Sequence, residues 1–158
     1  SGEQCFRILL REKEARVTDS SVQGLPTIAL NANLGPGTTR RVGERLVISV
    51  TASTESFVGV VRVDSRGNLR QVYPVLKGPQ ARVGASQTIR LVDSTEAPNG
   101  VFGVETLIAV ASADPIPLES QSGWEVFAGT VRTWAASSSP PKRVGNKEIA
   151  VLRFFTAP

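Results

Sequence analysis

Between Gly43 and Pro74 the chain reads GERLVISVTASTESFVGVVRVDSRGNLRQVYP, three strand-like runs joined by tight connections, and this stretch constrains the fold more than any other. Leu46, Ile48, Val50 and Ala52 alternate with Arg45, Ser49 and Thr51. A spacing of two puts the first set on one face of a strand, with Val47 alone breaking the pattern. Residues 57–63, FVGVVRV, are apolar on both faces except at Arg62, which suits a central strand covered on both sides. Asp64, Gly67 and Asn68 supply turn chemistry, with Gly67 able to take a positive φ, before Leu69 to Tyr73 resume the sheet. Together the three runs read as a β-meander.

Other strands are expected at Cys5 to Leu10, Thr27 to Leu30, Thr88 to Val92 and Gly103 to Ser112, the last with a continuous apolar run from Leu107 to Ala111. Gly35-Pro36-Gly37, Lys77 to Ser86 and Asp93 to Gly100 read as loops. From Ser122 to Ala136 the period changes: Trp124, Phe127, Ala128, Val131, Trp134 and Ala135 recur at helical spacing, and Ser122 with Glu125 matches a capping box. Core packing against a sheet is the favoured reading of this aromatic stripe. Ser137 to Pro141 ends the helix, and Glu148 to Phe155 is a last strand, apolar on both sides apart from Arg153. So apolar a C-terminal piece could not bury itself, and residues 1–158 are therefore read as one domain. About eight short strands with no βαβ rhythm predict a mainly β fold, an antiparallel β-sandwich with one accessory α-helix. The alternative is an open barrel plugged by the helix.

The chain has 158 residues, enough to bury a core without staples. It has no histidine, which rules out His-containing zinc sites and His-based nucleophilic triads. Cys5 is the single cysteine, so no disulfide can form within the chain, and a buried or incidental thiol is the favoured reading. Asp64-Ser65-Arg66-Gly67-Asn68 carries a cation in its middle and reads as a turn rather than a calcium loop. No metal or cofactor is expected. Ser139-Pro140-Pro141-Lys142 matches S-x-x-K only formally, because two prolines forbid the helical turn that would bring serine to lysine. Gly84-Ala85-Ser86-Gln87 is not a nucleophile elbow, and Glu96 with Glu105 is an acid pair without supporting context. No enzymatic activity is expected.

A net charge of +4 suggests an anionic partner, but the basic residues fall in two separate clusters, Arg40, Arg41 and Arg45, and Lys142, Arg143 and Lys147. These read as solvated loop charges. With Tyr73 the single tyrosine, no nucleic-acid partner is expected. No apolar run approaches the roughly 20 residues that span a bilayer, so no membrane span is expected in this chain. The sequence starts at Ser1 and contains no methionine, so the natural protein is expected to be longer.

Gly43-Glu44 before an alternating strand, the Asp64 to Gly67 turn, Val72-Tyr73-Pro74, Gly84 before Thr88-Ile89, and Gly103-x-Glu105 before an apolar strand form a spaced pattern. It resembles the bacterial family of domain of unknown function 4384 over roughly Gly43 to Pro117. The chain departs from that pattern where Phe57 to Val61 lacks an aromatic pair, and the helix and strand at about 122–156 lie outside the resemblance. The resemblance implies an accessory domain of the kind found with caspase-like peptidases, protein kinases and exported proteins, in the periplasm or cell envelope. The expected function is a non-catalytic interaction module whose partner is another protein or a neighbouring domain of the parent chain. The alternative is a small-ligand sensor for glycan or peptide, which a deep pocket lined by Trp124, Phe127 or Trp134 would favour. Candidate binding residues are Arg70, Tyr73 and Lys77, because Pro74 marks a strand end or edge and aromatic and cationic groups anchor interfaces. The competing reading of Tyr73 buries its ring under the following loop.

Overall fold

The computed structural model describes residues 26–33, 38–41, 43–74, 80, 82–94, 102–118 and 120–158. The strand expected at Cys5 to Leu10, Lys77 and Glu96 lie outside the described residues. Nine strands and one helix are described: β1 (Ile28–Ala32), β2 (Thr39–Arg41), β3 (Arg45–Ala52), β4 (Phe57–Val63), β5 (Leu69–Tyr73), β6 (Thr88–Ser94), β7 (Gly103–Ser112), α1 (Gln121–Ala136), β8 (Arg143–Val144) and β9 (Lys147–Ala157). A three-stranded sheet in the order β1-β3-β6 faces a larger one in the order β2-β9-β7-β4-β5, with β8 also pairing β9. The arrangement is a β-sandwich with a helix on its outer side. All pairings are antiparallel except β2 with β9, which is parallel.

The three runs from Gly43 to Pro74 do not form a meander. β4 and β5 make a hairpin in the larger sheet, while β3 pairs β1 and β6 in the smaller one. The two strands carry different apolar patterns because they lie in different layers. In β3 only Leu46, Ile48, Val50 and Ala52 are buried, as in an outer sheet with one covered face, whereas β4 is buried from Val58 to Val63. Residues 53–56 make the crossing between sheets: the Ser53 N–H donates to Thr27 O at 2.9 Å, and Ser56 exchanges backbone bonds with Val83.

The larger sheet is therefore a middle layer. Towards the smaller sheet it presents Val58, Val60, Leu107, Ala109, Leu152 and Phe154, which pack with Leu46, Ile48 and Val50. On its other face Val61, Ile108, Val110 and Ile149 pack with Phe127, Val131 and Trp134 of α1. Each such side chain taken out of water stabilises by roughly 1.5–3 kcal/mol before chain entropy is counted.

The helix begins one residue earlier than its sequence pattern suggests, and its cap is Ser120, not Ser122. Ser120 has extended backbone, and its Oγ accepts the Gly123 N–H at 3.0 Å. Ser122 already lies in the first turn, and Glu125 instead accepts from Gln121 Nε2 at 2.7 Å. Gly123 is needed there, since a Cβ would come within 2.7 Å of Ser120 Oγ and 3.0 Å of Pro117 Cβ. At the other end Arg153, the polar break in the last strand, donates through Nη2 to Ala135 O at 3.1 Å and Ser137 O at 2.8 Å. It thereby satisfies carbonyls that a helix terminus leaves without partners.

Candidate functional site

Arg62, the polar exception in β4, projects between the sheets. On β7 its Cα partner is Leu107, so Glu105, two residues along, lies on the same face as a diagonal neighbour. Arg62 Nε donates to Glu105 Oε1 at 2.6 Å, and Arg62 Nη1 reaches Asp93 Oδ2, across on β6 of the smaller sheet, at 3.2 Å. The guanidinium carbon sits 5.5 Å from the Phe154 ring centroid. The side chains of Arg62 and Glu105 are only 5% and 4% exposed. Burial raises the Glu105 pKa above its ordinary value, and the hydrogen bond and charge of Arg62 offset that in part. The Arg62–Glu105 pair links neighbouring strands of the larger sheet, and the bond from Arg62 to Asp93 ties that sheet to the smaller one. Among the described residues no group of three or more Cys, His, Asp or Glu is placed to hold a metal ion.

Arg70 and Tyr73 both lie on β5, the edge strand of the larger sheet, but they do different things. Arg70 donates through Nη2 to Asp93 Oδ2 at 2.6 Å and so joins the Arg62 cluster at the corner where β5 meets β6. A register shift between Val60 and Val61 lets both Val72 and Tyr73 pack against the inter-sheet core. The third residue singled out with them, Lys77, lies outside the described residues. The turn before β5 is held by Asp64, whose Oδ1 accepts the N–H groups of Arg66 at 2.8 Å and Asn68 at 2.9 Å. Burial opposes the Asp64 charge, but these bonds and a side-chain bond from Asn68 outweigh it and hold its pKa below the ordinary value.

The helix aromatics pack into the core that α1 forms with the larger sheet. Phe127 and Trp134 are buried against the larger sheet, and Trp124 is half-buried beside them, its ring centroid 6.2 Å from that of Phe127.

An open surface lies along β9. Its inner edge pairs every residue of β7 from Gly103 to Ser112. Among the described residues its outer edge is paired only at the ends: β8 covers Lys147 and Glu148, and β2 covers Phe155 to Ala157. The Ile149 N–H donates outwards to Lys142 O and the Phe155 N–H outwards to Thr38 O, both at 2.8 Å. Backbone direction alternates along a strand, so the N–H and C=O groups of Val151 and Arg153 point outwards as well. No described strand pairs with them there. A cleft of about 630 Å³ opens on this stretch, with Ile28, Pro140, Pro141, Lys142, Val151 and Arg153 among its walls. Sequence reasoning did not find it. The apolar pattern of 148–155 marks a covered strand, but nothing local shows that β2 and β8, of three and two residues, reach only its ends.

No curated protein matches the chain. Residues 39–115, from the start of β2 to just beyond β7, match the model of a family described as a domain of unknown function. The match bears out the resemblance drawn from the residue pattern: residues 39–115 are similar to the family Domain of unknown function (DUF4384).

Proposed function

We propose that the chain is a non-catalytic accessory module of a larger bacterial, envelope-associated protein, and that it docks onto another protein or a neighbouring domain through a sheet edge. The family match is consistent with an accessory module. The observation that carries the reading is the partition of surface: the aromatic stripe that could have lined a ligand pocket is core, while sheet-edge backbone on β9 is exposed to a cleft. Edge strands are where extended partners add. The envelope location rests on the resemblance, and fractionation of cells carrying the full-length protein tests it.

The test of the function is to screen the immobilised chain against a displayed peptide library, a glycan array and a broad panel of hydrolase and transferase substrates. The expected outcome is an enriched peptide class with no glycan binding and no turnover. Glycan binding without peptide enrichment would establish the sensor reading instead. Turnover abolished by Glu105→Gln would make the chain an enzyme.

A further inference from the structure

Two residues of the first basic cluster and all three of the second, far apart in sequence, meet the same strand edge, while Arg45 lies on β3 of the smaller sheet. Arg40 and Arg41 are in β2, which pairs with Thr156 and Ala157, while Arg143 is in β8 and Lys147 at the start of β9, with Lys142 just before β8. They bracket the exposed stretch of β9 at either end. From Glu148 to Phe155 is about 23 Å at the usual rise per residue, the length of a short extended segment. The acidic groups at these ends are engaged. Glu148 holds Arg143 Nη2 at 2.8 Å and the Ile28 N–H at 2.9 Å, and Glu44 accepts the Arg41 N–H at 2.9 Å. Lys142 is exposed and makes no ion pair among the described residues. Two exposed apolar side chains, Val144 and Phe155, stand at opposite ends of the stretch.

We propose that the open stretch of β9 between β8 and β2 is a strand-addition site for an extended acidic peptide segment. This deepens the interaction-module reading and rests on it. The outward groups of Val151 and Arg153 offer donor and acceptor in the alternation of a peptide backbone, which phosphates of a nucleic acid cannot reciprocate. Arg143 and Arg40 are paired with Glu148 and Glu44, so Lys142 and Lys147, which make no ion pair among the described residues, favour acidic side chains on the added strand, and Val144 and Phe155 offer contact to apolar ones. Because β8 runs antiparallel and β2 parallel to β9, both hydrogen-bonding geometries already occur on this edge.

The probe is a short fluorescein-labelled peptide of alternating Glu and Val, capped at both ends and titrated against the full chain by fluorescence anisotropy. Controls are its Lys-Val counterpart, the same acidic peptide N-methylated at alternate residues, and oligothymidylate. Binding of the acidic peptide is expected to weaken at least about tenfold on N-methylation, the equivalent of one or two backbone hydrogen bonds. Lys142→Glu should weaken it about two- to fivefold, with a smaller difference at high salt. Val151→Pro removes one outward N–H while leaving the β7 ladder intact, since proline is accepted where the N–H faces away from a neighbouring strand. It should weaken binding about as N-methylation does. If Val151→Pro does not fold, the N-methylated probe and Lys142→Glu decide alone. No binding of the acidic peptide, binding indifferent to N-methylation and to Lys142→Glu, or preferential binding of oligothymidylate would overturn the proposal. Peptides enriched from the display library yet indifferent to folded Val151→Pro and to Lys142→Glu would retain the module reading and remove this edge.

Discussion

Replacing Arg62 by methionine isolates the buried ion pair, because methionine keeps a long flexible apolar stem over Phe154 while removing the charge. The side chains of Arg62 and Glu105 are 5% and 4% exposed, so the variant leaves a carboxylate in a site that water barely reaches. Breaking a buried pair on one side costs about 3–5 kcal/mol, and that is the loss expected at pH 7. Asp93 keeps Arg70 at 2.6 Å, so Glu105 bears most of the effect. The pH dependence follows from its pKa, which is raised even with Arg62 present. Without Arg62 the offsetting contributions vanish and burial raises it further. An acid with a raised native pKa holds its proton where the unfolded chain has lost it, so stability falls as pH rises above the ordinary value of 4.5 through the native value. The deficit of Arg62→Met should therefore be smaller at pH 5 than at pH 7. Urea unfolding followed by fluorescence of Trp124 and Trp134 at the two pH values measures both quantities. Arg62→Met with Glu105→Leu should recover most of the loss, since apolar replacement of a buried pair is commonly neutral or stabilising. A loss below about 1 kcal/mol at pH 7, unchanged at pH 5, would refute the claim that this carboxylate is buried against the guanidinium.

Phe127→Ala removes a ring buried between α1 and the larger sheet, and urea unfolding should show a loss of about 3–5 kcal/mol, with a smaller one for half-buried Trp124→Ala. Asp64 has a depressed native pKa, so its contribution is present above its ordinary value of 3.8 and is lost as pH falls through the native value. Thermal melts of Asp64→Asn should therefore lose stability less steeply on acidification through that range than the parent chain. A chain ending at Pro115, the limit of the family match, should fail to unfold cooperatively in calorimetry, because β7 then lacks its β9 partner and both core clusters lose members.

Local periodicity made several elements legible. The alternation in 46–52, the two-faced apolarity of 57–63 and the helical stripe of 124–135 report which faces are covered, and each element forms close to where its pattern lies. Periodicity does not report which sheet a strand enters, and so β3 was joined to β4. The Ser122–Glu125 spacing satisfied a capping box, yet cap choice depends on where helical backbone begins, one residue before Ser122. The buried ion pair left a signal: Arg62 and Glu105 are opposite charges on two otherwise apolar strands, and the β4–β7 register makes them diagonal neighbours. The β9 edge left none. Three residues of β2 and two of β8 are too few to carry a period, and a parallel pairing across more than a hundred residues has no local trace.

The family match ends at residue 115, but the fold does not divide there. β9 pairs with the whole length of β7, Leu152 and Phe154 fill the inter-sheet core, Ile149 packs beneath the helix, and β2 has β9 as its ladder partner. Without the C-terminal segment the matched strands would leave β7, an apolar strand covered on both faces here, as a bare edge. What lies beyond the match thus completes the matched part and also sets its exposed surface. The basic residues at one end of the β9 edge, Arg40 and Arg41, belong to the matched segment, while Lys142, Arg143, Lys147 and the edge itself do not. A strand-addition site built this way depends on both portions, and its specificity is a property of this chain rather than of the family pattern alone.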